Sequence, residues 1–301
     1  MRFEAIARRT EWIGKLATLG GSFDVTARVL CENLQLEVAT EGIDALMDHL
    51  RLCSAIPESY GHDSTEEKLY SKYTDAILAE SFSAIGLQSA IIEARGDSAD
   101  VQARGKSFSL VADAKAFRLS RTAKNQKDFK IQAMDGWRRT LDFAIVVCPI
   151  YQLPSKTSQI YEQAIARNVC VLSYSHLATL AAFAARRSKS KAESGLKSIL
   201  QSLSAMHQSK SAYDYWTTIN SALVKSLGKD VDLWHEERRS SIVALQILKE
   251  EALATLQTER DRLQRLSHRA AITELLKSAG IDSRIGTIGR VEHGNLLGEN
   301  N

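Results

Sequence analysis

Asp113 and Lys115 stand two residues apart at the end of the apolar run LVADAK, inside residues 110–130, LVADAKAFRLSRTAKNQKDFK. A carboxylate and an amine on one strand face can hold a metal ion and steer a hydroxide beside it. Cations follow at every third position, Arg118, Arg121, Lys124, Lys127 and Lys130, and can hold a polyanion nearby. The combination points to metal-dependent cleavage of a phosphodiester.

An acid-x-Lys tripeptide is weak by itself, and two others occur, Glu66-Lys68 and Asp128-Lys130. Both of those fall in expected helices, where residues two apart point in different directions. Asp113 and Lys115 fall on an expected strand, whose period of two puts them on one face, with Leu110, Ala112, Ala114 and Ala116 opposite. An edge-strand ion pair is the competing role. Upstream carboxylates favour chemistry: Asp100 opens the preceding β segment and Glu93 closes the one before it, and antiparallel pairing can bring either beside Asp113. Two carboxylates leave room on Mg²⁺ for waters and a substrate phosphate. Lys115 would orient the attacking water and stabilise transition-state charge. Glu67, in the first turn of the preceding helix, is a further candidate, although it also fits N3 of a capping box.

The basic run could simply be a solvated helix face, since a spacing of three drifts around a helix. It begins three residues after Lys115, however, and contains the amides Asn125 and Gln126. Asn and Gln pair bidentately with adenine, Arg and Lys with guanine, and Asp128 can accept from cytosine N4. Phosphate-neutralising and base-reading groups beside a metal site suit sequence-specific cleavage.

The whole chain has 301 residues, 44% hydrophobic, enough for one large core or two moderate ones. Its formal charge of +3 does not announce a nucleic-acid binder, so basic residues would have to act by local concentration. Four scattered cysteines with no CxxC exclude zinc spacing and read as buried thiols in a reducing compartment. The first twenty residues lack the apolar core of a signal peptide, and no apolar run could span a bilayer, so a soluble, cytoplasmic protein is expected. His49, His176 and His235 are isolated and lack ligand-like spacing. No GxxxxGK[ST], GxSxG or HExxH pattern occurs.

The elements that must position these groups follow from periodicity and breakers. Residues 1–56 are expected as an N-terminal helical subregion, broken near Gly20-Gly21 and ended by Pro57. Ser64-Thr65-Glu66-Glu67 is a capping box leading a helix to Gly86. Segments 89–93, 99–103 and 108–114 read as three strands, 124–140 as a helix and 142–148 as a buried strand. A helix at 157–167 and a strand at 168–174 complete an α/β core, residues 57–187, with a mixed sheet. Residues 188–301 form a C-terminal helical region. Within it Leu245, Leu248, Ala252 and Leu256 make a packing seam, and the last sixteen residues read as loose.

Residues 110–130 closely resemble the active-site and recognition region of the HindIII-type Type II restriction endonucleases, of the PD-(D/E)xK nuclease superfamily. STEEKLYSK, EARGDSADV, SQIYEQ and NVCVLSYSHLA flank it in matching order, over about residues 56–180. The resemblance implies the PD-(D/E)xK core and a Mg²⁺-dependent homodimer, with one or two ions per site, acting on palindromic double-stranded DNA. The implied target is AAGCTT, cut after the first A to leave 5′ AGCT overhangs. By motif position Asp100 and Asp113 would hold metal and Lys115 would complete the catalytic set. Glu93 would be an extra catalytic and metal-binding acid, and Glu67 would lie in the matching helix. Arg118, Ser120, Arg121, Lys124, Asn125, Lys127 and Asp128 would contact DNA. A companion DNA methyltransferase is implied by the biology of such enzymes. The spacer between Asp100 and Asp113 is slightly shorter than in the family. The alternatives are a less specific nuclease of the same fold or a catalytically inactive DNA-binding relative.

Overall fold

The computed structural model describes residues 3–92, 98–121 and 126–289. Contacts divide the chain into two compact units, Met1–Ala252 and Leu253–Asn301. Three helices open the first unit: α1 (Phe3–Thr18), α2 (Phe23–Glu41) and α3 (Ile43–Leu52). The break near Gly20-Gly21 falls between α1 and α2. A second break, at Gly42, has φ of 76°, a conformation that glycine adopts without a Cβ clash.

Half of the expected capping box starts α4 (Thr65–Ile85): the Ser64 hydroxyl accepts from the Glu67 N–H, but the Glu67 carboxylate accepts from the Asp63 N–H and not from that of Ser64. Gly86 ends α4 in the left-handed region, φ 115°, as helix C-termini favour. A Cβ at Gly86 would also lie 2.8 Å from Lys189 Cβ, so glycine is needed twice over.

Five strands follow: β1 (Gln88–Ile91), β2 (Val101–Arg104), β3 (Ser109–Ala114), β4 (Phe143–Cys148) and β5 (Val169–Ser173). They lie in sequence order in one sheet. β1, β2 and β3 are an antiparallel meander, while β3, β4 and β5 are parallel. This is the expected mixed sheet. β4 and β5 are apolar on both faces, as buried parallel strands must be. The crossovers carry α5 (Ile131–Arg138) and α6 (Gln159–Ala166).

After β5 come α7 (Tyr174–Arg186), α8 (Lys189–Ser204), α9 (Ala212–Leu227) and α10 (Asp232–Gln264). α4 packs on β1, β2 and β3 and against α7, whereas α5 packs on β3 and β4 and against α6. No helix of the described residues is long and apolar enough to cross a membrane. All four cysteines are free.

Two expectations need correction. The helix expected over 124–140 is a 3-10 turn (Gln126–Phe129) followed by α5. Lys130, at φ 48°, separates them in the left-handed region. The expected seam also divides: Leu248 is buried with Ala5, Leu52, Ala55 and Ala244, while Leu256 is exposed. The second unit continues α10 into α11 (His268–Ser278), capped by Ser267, and α12 (Ile281–Gly289).

His176 is a buried structural histidine. Its Nδ1 accepts from the Ser173 backbone N–H at 3.2 Å, which leaves Nε2 to donate to Asn220 Oδ1 at 3.0 Å. Trp216 and Trp234 flank the ring, 5.7 and 5.0 Å away between centroids. Burial lowers its pKa from 6.5 to about 4, against the opposing hydrogen bonds. A depressed folded-state pKa contributes stability that is full above the unfolded value and lost as pH falls through the folded one. Denaturant unfolding followed from pH 6.5 down to about 4 should therefore show wild-type stability declining, with His176→Gln giving a flatter profile. Parallel profiles in the two proteins would exclude His176 as the source.

Candidate active site

The antiparallel register sets the geometry. Val101 pairs with Ala112, and the Asp100 N–H donates to Ala112 O at 3.2 Å, so Asp100 falls opposite Asp113. The parallel pairing fixes the other flank: Asp113 stands beside Val146, and the Lys115 N–H donates to Val147 O at 2.8 Å. Tyr174, at the start of α7, donates its hydroxyl to Lys115 O at 3.0 Å. Lys115 lies just past the end of β3 yet remains anchored on both sides.

Asp113 is completely buried. What compensates the carboxylate is charge. The Lys115 ammonium contacts Oδ2, and Lys130 Nζ lies 3.7 Å from Oδ1. The left-handed turn at Lys130 aims that side chain back toward β3, across the Trp137 ring at 5.2 Å. Burial alone would lower the Lys115 pKa, but Asp113, with Asp100 behind it, outweighs this and raises it.

A third acid joins the pair. Asp75, buried on α4, interacts with Asp100, Asp113 and Lys115, and its Oδ2 accepts from Lys72 Nζ at 2.9 Å. Burial, then the charges of Asp75 and Asp113, push the Asp100 carboxyl up to about 8. Burial pushes Asp75 up to about 6, with Asp113 adding and Lys72 opposing. Asp75 and Asp100, which resist ionisation because they are buried and face other acids, form a site that a small cation would relieve. The donor set fits a hard divalent cation, being carboxylate oxygen without thiolate or imidazole. Cys148 is near Lys115, but burial raises its thiol far out of reach of ionisation.

The remaining expected residues are dispersed. Glu93, Lys124 and Asn125 lie outside the described residues. Glu67 turns both oxygens elsewhere: one accepts from Arg118 and the other from the Asp63 N–H at 2.6 Å. Glu67, His62 and Asp63 bring one ligand atom each within 4.8 Å, at the surface. Arg118 also donates to Tyr60 O at 2.9 Å and Gly61 O at 3.1 Å, so its guanidinium braces the chain internally. Ser120 binds Glu58 through its N–H and hydroxyl, at 2.9 and 2.7 Å. Arg121 pairs with Asp128 at 2.7 Å and stacks on Phe117 at 4.9 Å. Lys127 is exposed. A groove of ≈ 530 Å³ runs along this surface, lined by Glu67, Lys68, Ser71, Ala116, Arg118 and Ser120 among others.

Sequence reasoning missed Asp75 and the role of Lys130. Asp75 carried a signal: it is a charged residue enclosed by the apolar positions Tyr73, Ala76, Ile77 and Leu78, all of which are buried. Lys130 had no such signal, since only its positive φ brings it back to Asp113.

The profile of the HindIII restriction endonuclease family matches residues 10–291, and the chain belongs to that family. The Type II restriction enzyme HindIII of Haemophilus influenzae is 36% identical to it over 137 residues. That alignment covers 45% of this chain and 46% of the relative, less than half of each.

Cation binding at these acids should be linked to their ionisation. Mn²⁺ should raise the melting temperature more at about pH 8.5 than at about pH 6.5, because Asp100 sheds its proton near 8. Asp113→Asn should abolish the shift at both. An equal shift in that variant would place the cation elsewhere.

Proposed function

We propose that this chain is a Type II site-specific endonuclease that hydrolyses palindromic duplex DNA at the Asp100–Asp113–Lys115 site, on a sheet of PD-(D/E)xK type. The observation that carries this reading is the meeting of Asp100 and Asp113 in register across β2 and β3, with Lys115 against Asp113. A divalent cation bound there lowers the pKa of a water and neutralises charge developing on the phosphate. Asp100 and Asp113 supply the oxygen ligands for Mg²⁺. Lys115 would orient the attacking water and stabilise charge in the transition state. Lys130 is placed to hold a phosphate oxygen at the same edge.

The sequence choice resides in residues 118–130. We read Asn125, Lys127 and Asp128 as contacting base edges and Lys124 as contacting phosphate. The internal pairs of Arg118, Ser120 and Arg121 hold that segment in shape. The target supported by the resemblance is AAGCTT, cut after the first A. A host carrying such an activity needs a methyltransferase that protects the same site.

A palindrome is matched by a two-fold dimer. Among the described residues of the second unit none is buried, and Ile272, Leu275, Leu276, Ile285 and Ile288 are exposed. So short a segment does not sustain itself without covering its apolar face, and we assign that face to a second copy. The polar residues around it have both signs, including Arg262 paired with Glu259 and Glu274, which suits a self-complementary contact. Leu275→Asp should convert a dimer to a monomer in sedimentation. A dimer that persists would locate the interface elsewhere.

Plasmid DNA incubated with the protein and Mg²⁺ should give discrete fragments with 5′ AGCT ends, and none without metal. Smearing would favour a less specific nuclease, and metal-independent retention without cutting would favour a pure DNA binder. Asp113→Ala should abolish cutting while sparing specific binding. Asn125→Ala should lose about 1–3 kcal/mol of base discrimination if its amide reads a base. Unchanged selectivity would remove Asn125 from the readout.

A further inference from the structure

We propose that Asp75 on α4 is the third carboxylate ligand of the cation site, and that Lys72 holds it when no metal is bound. The inference rests on the metal-dependent reading above. It assigns to Asp75 the helix-borne role for which Glu67 is the candidate by sequence.

Three observations carry it. First, α4 packs directly on β2 and β3, the strands that bear Asp100 and Asp113. Asp75 sits on the enclosed part of that helix, 3% exposed, where it interacts with Asp113 and Lys115 and its charge acts on Asp100. Secondly, Glu67 and Asp75 are eight residues apart, about 12 Å along the axis at 1.5 Å per residue, so both cannot serve one ion. Glu67 is committed to Arg118 and the Asp63 N–H near the helix N-terminus. Thirdly, an acid at a buried position of a helix is costly unless a specific partner repays it. Lys72, one turn earlier, is that partner at 2.9 Å, and it is a half-exposed, flexible side chain able to swing to solvent.

The arrangement is a charge exchange. Without metal, three acids share the ammonium groups of Lys72, Lys115 and Lys130. A divalent cation between the acids takes over the Lys72 and Lys115 contacts. Lys72 is then a competitor of the metal, which an ordinary structural ion pair would not be.

The test is Mn²⁺ titration of the full-length protein, followed by the electron paramagnetic resonance signal of free Mn²⁺. Asp75→Asn should weaken Mn²⁺ binding by roughly tenfold or more, as loss of a metal-supporting group does, and Asp75→Glu should restore part of it. Glu67→Gln should leave the affinity within about twofold, a negligible change on that scale. Lys72→Gln should tighten Mn²⁺ binding, since it removes the competitor, and this arm stands even if Asp75→Asn does not fold. Unchanged affinity in a folded Asp75→Asn protein, or unchanged or weaker affinity in Lys72→Gln, overturns the assignment while the nuclease reading stands. Absence of Mn²⁺ binding by the wild-type chain overturns both.

Discussion

The structure is organised around one fully buried carboxylate, Asp113, whose oxygens meet the ammonium groups of Lys115 and Lys130. A lone ion in such a place would cost several kcal/mol, and it persists only because charges are fixed close by. Each fixed charge is a demand on the fold. Lys115 must leave β3 at one angle, which its backbone bond to Val147 and the Tyr174 hydroxyl enforce. Lys130 must turn back, which its left-handed backbone achieves. Asp100 is brought opposite by register alone. The result is an excess of acid in a confined space, and Mg²⁺ is the species our proposal puts there.

Residues 110–130 divide physically at about Lys115. The first part is a strand held between two neighbours, where backbone pairing leaves little freedom. The second part leaves the sheet and is shaped by side chains. Arg118 ties it to the start of α4, Ser120 ties it to Glu58, and Arg121 closes on Asp128. Tyr151 adds its hydroxyl to Ser54 O at 2.9 Å and Phe117 O at 2.7 Å, pinning the point where the two parts join. Groups ordered before DNA arrives lose less entropy on binding it. Arg118 and Arg121, which sequence spacing offers for phosphate contact, are thus structural braces, whereas Lys127 is exposed.

The sheet was legible because strand patterns are local: three short β-rich segments close together in sequence suggested a meander, and the apolar runs of β4 and β5 marked buried strands. Asp100, Asp113 and Lys115 were legible for the same reason, since a period of two and an antiparallel neighbour settle which side chains meet. What escaped depended on non-local facts. Asp75 reaches the site because of how α4 lies on the sheet, and no spacing rule encodes that. Lys130 looked like one cation in a helical row, and its positive φ is set by tertiary packing. α9 was overlooked although Tyr215, Ile219, Leu223 and Leu227 repeat every fourth residue and are all buried. Its polar residues, Asp214, Thr217, Thr218, Asn220 and Ser221, dilute that signal.

Anomalous scattering from Mn²⁺-soaked crystals tests the central claim most directly. A peak bounded by the Asp100 and Asp113 carboxylates, with the Lys115 ammonium moved off Asp113, is the predicted result. Density confined to the surface group of His62, Asp63 and Glu67, with Lys115 still against Asp113, would contradict it.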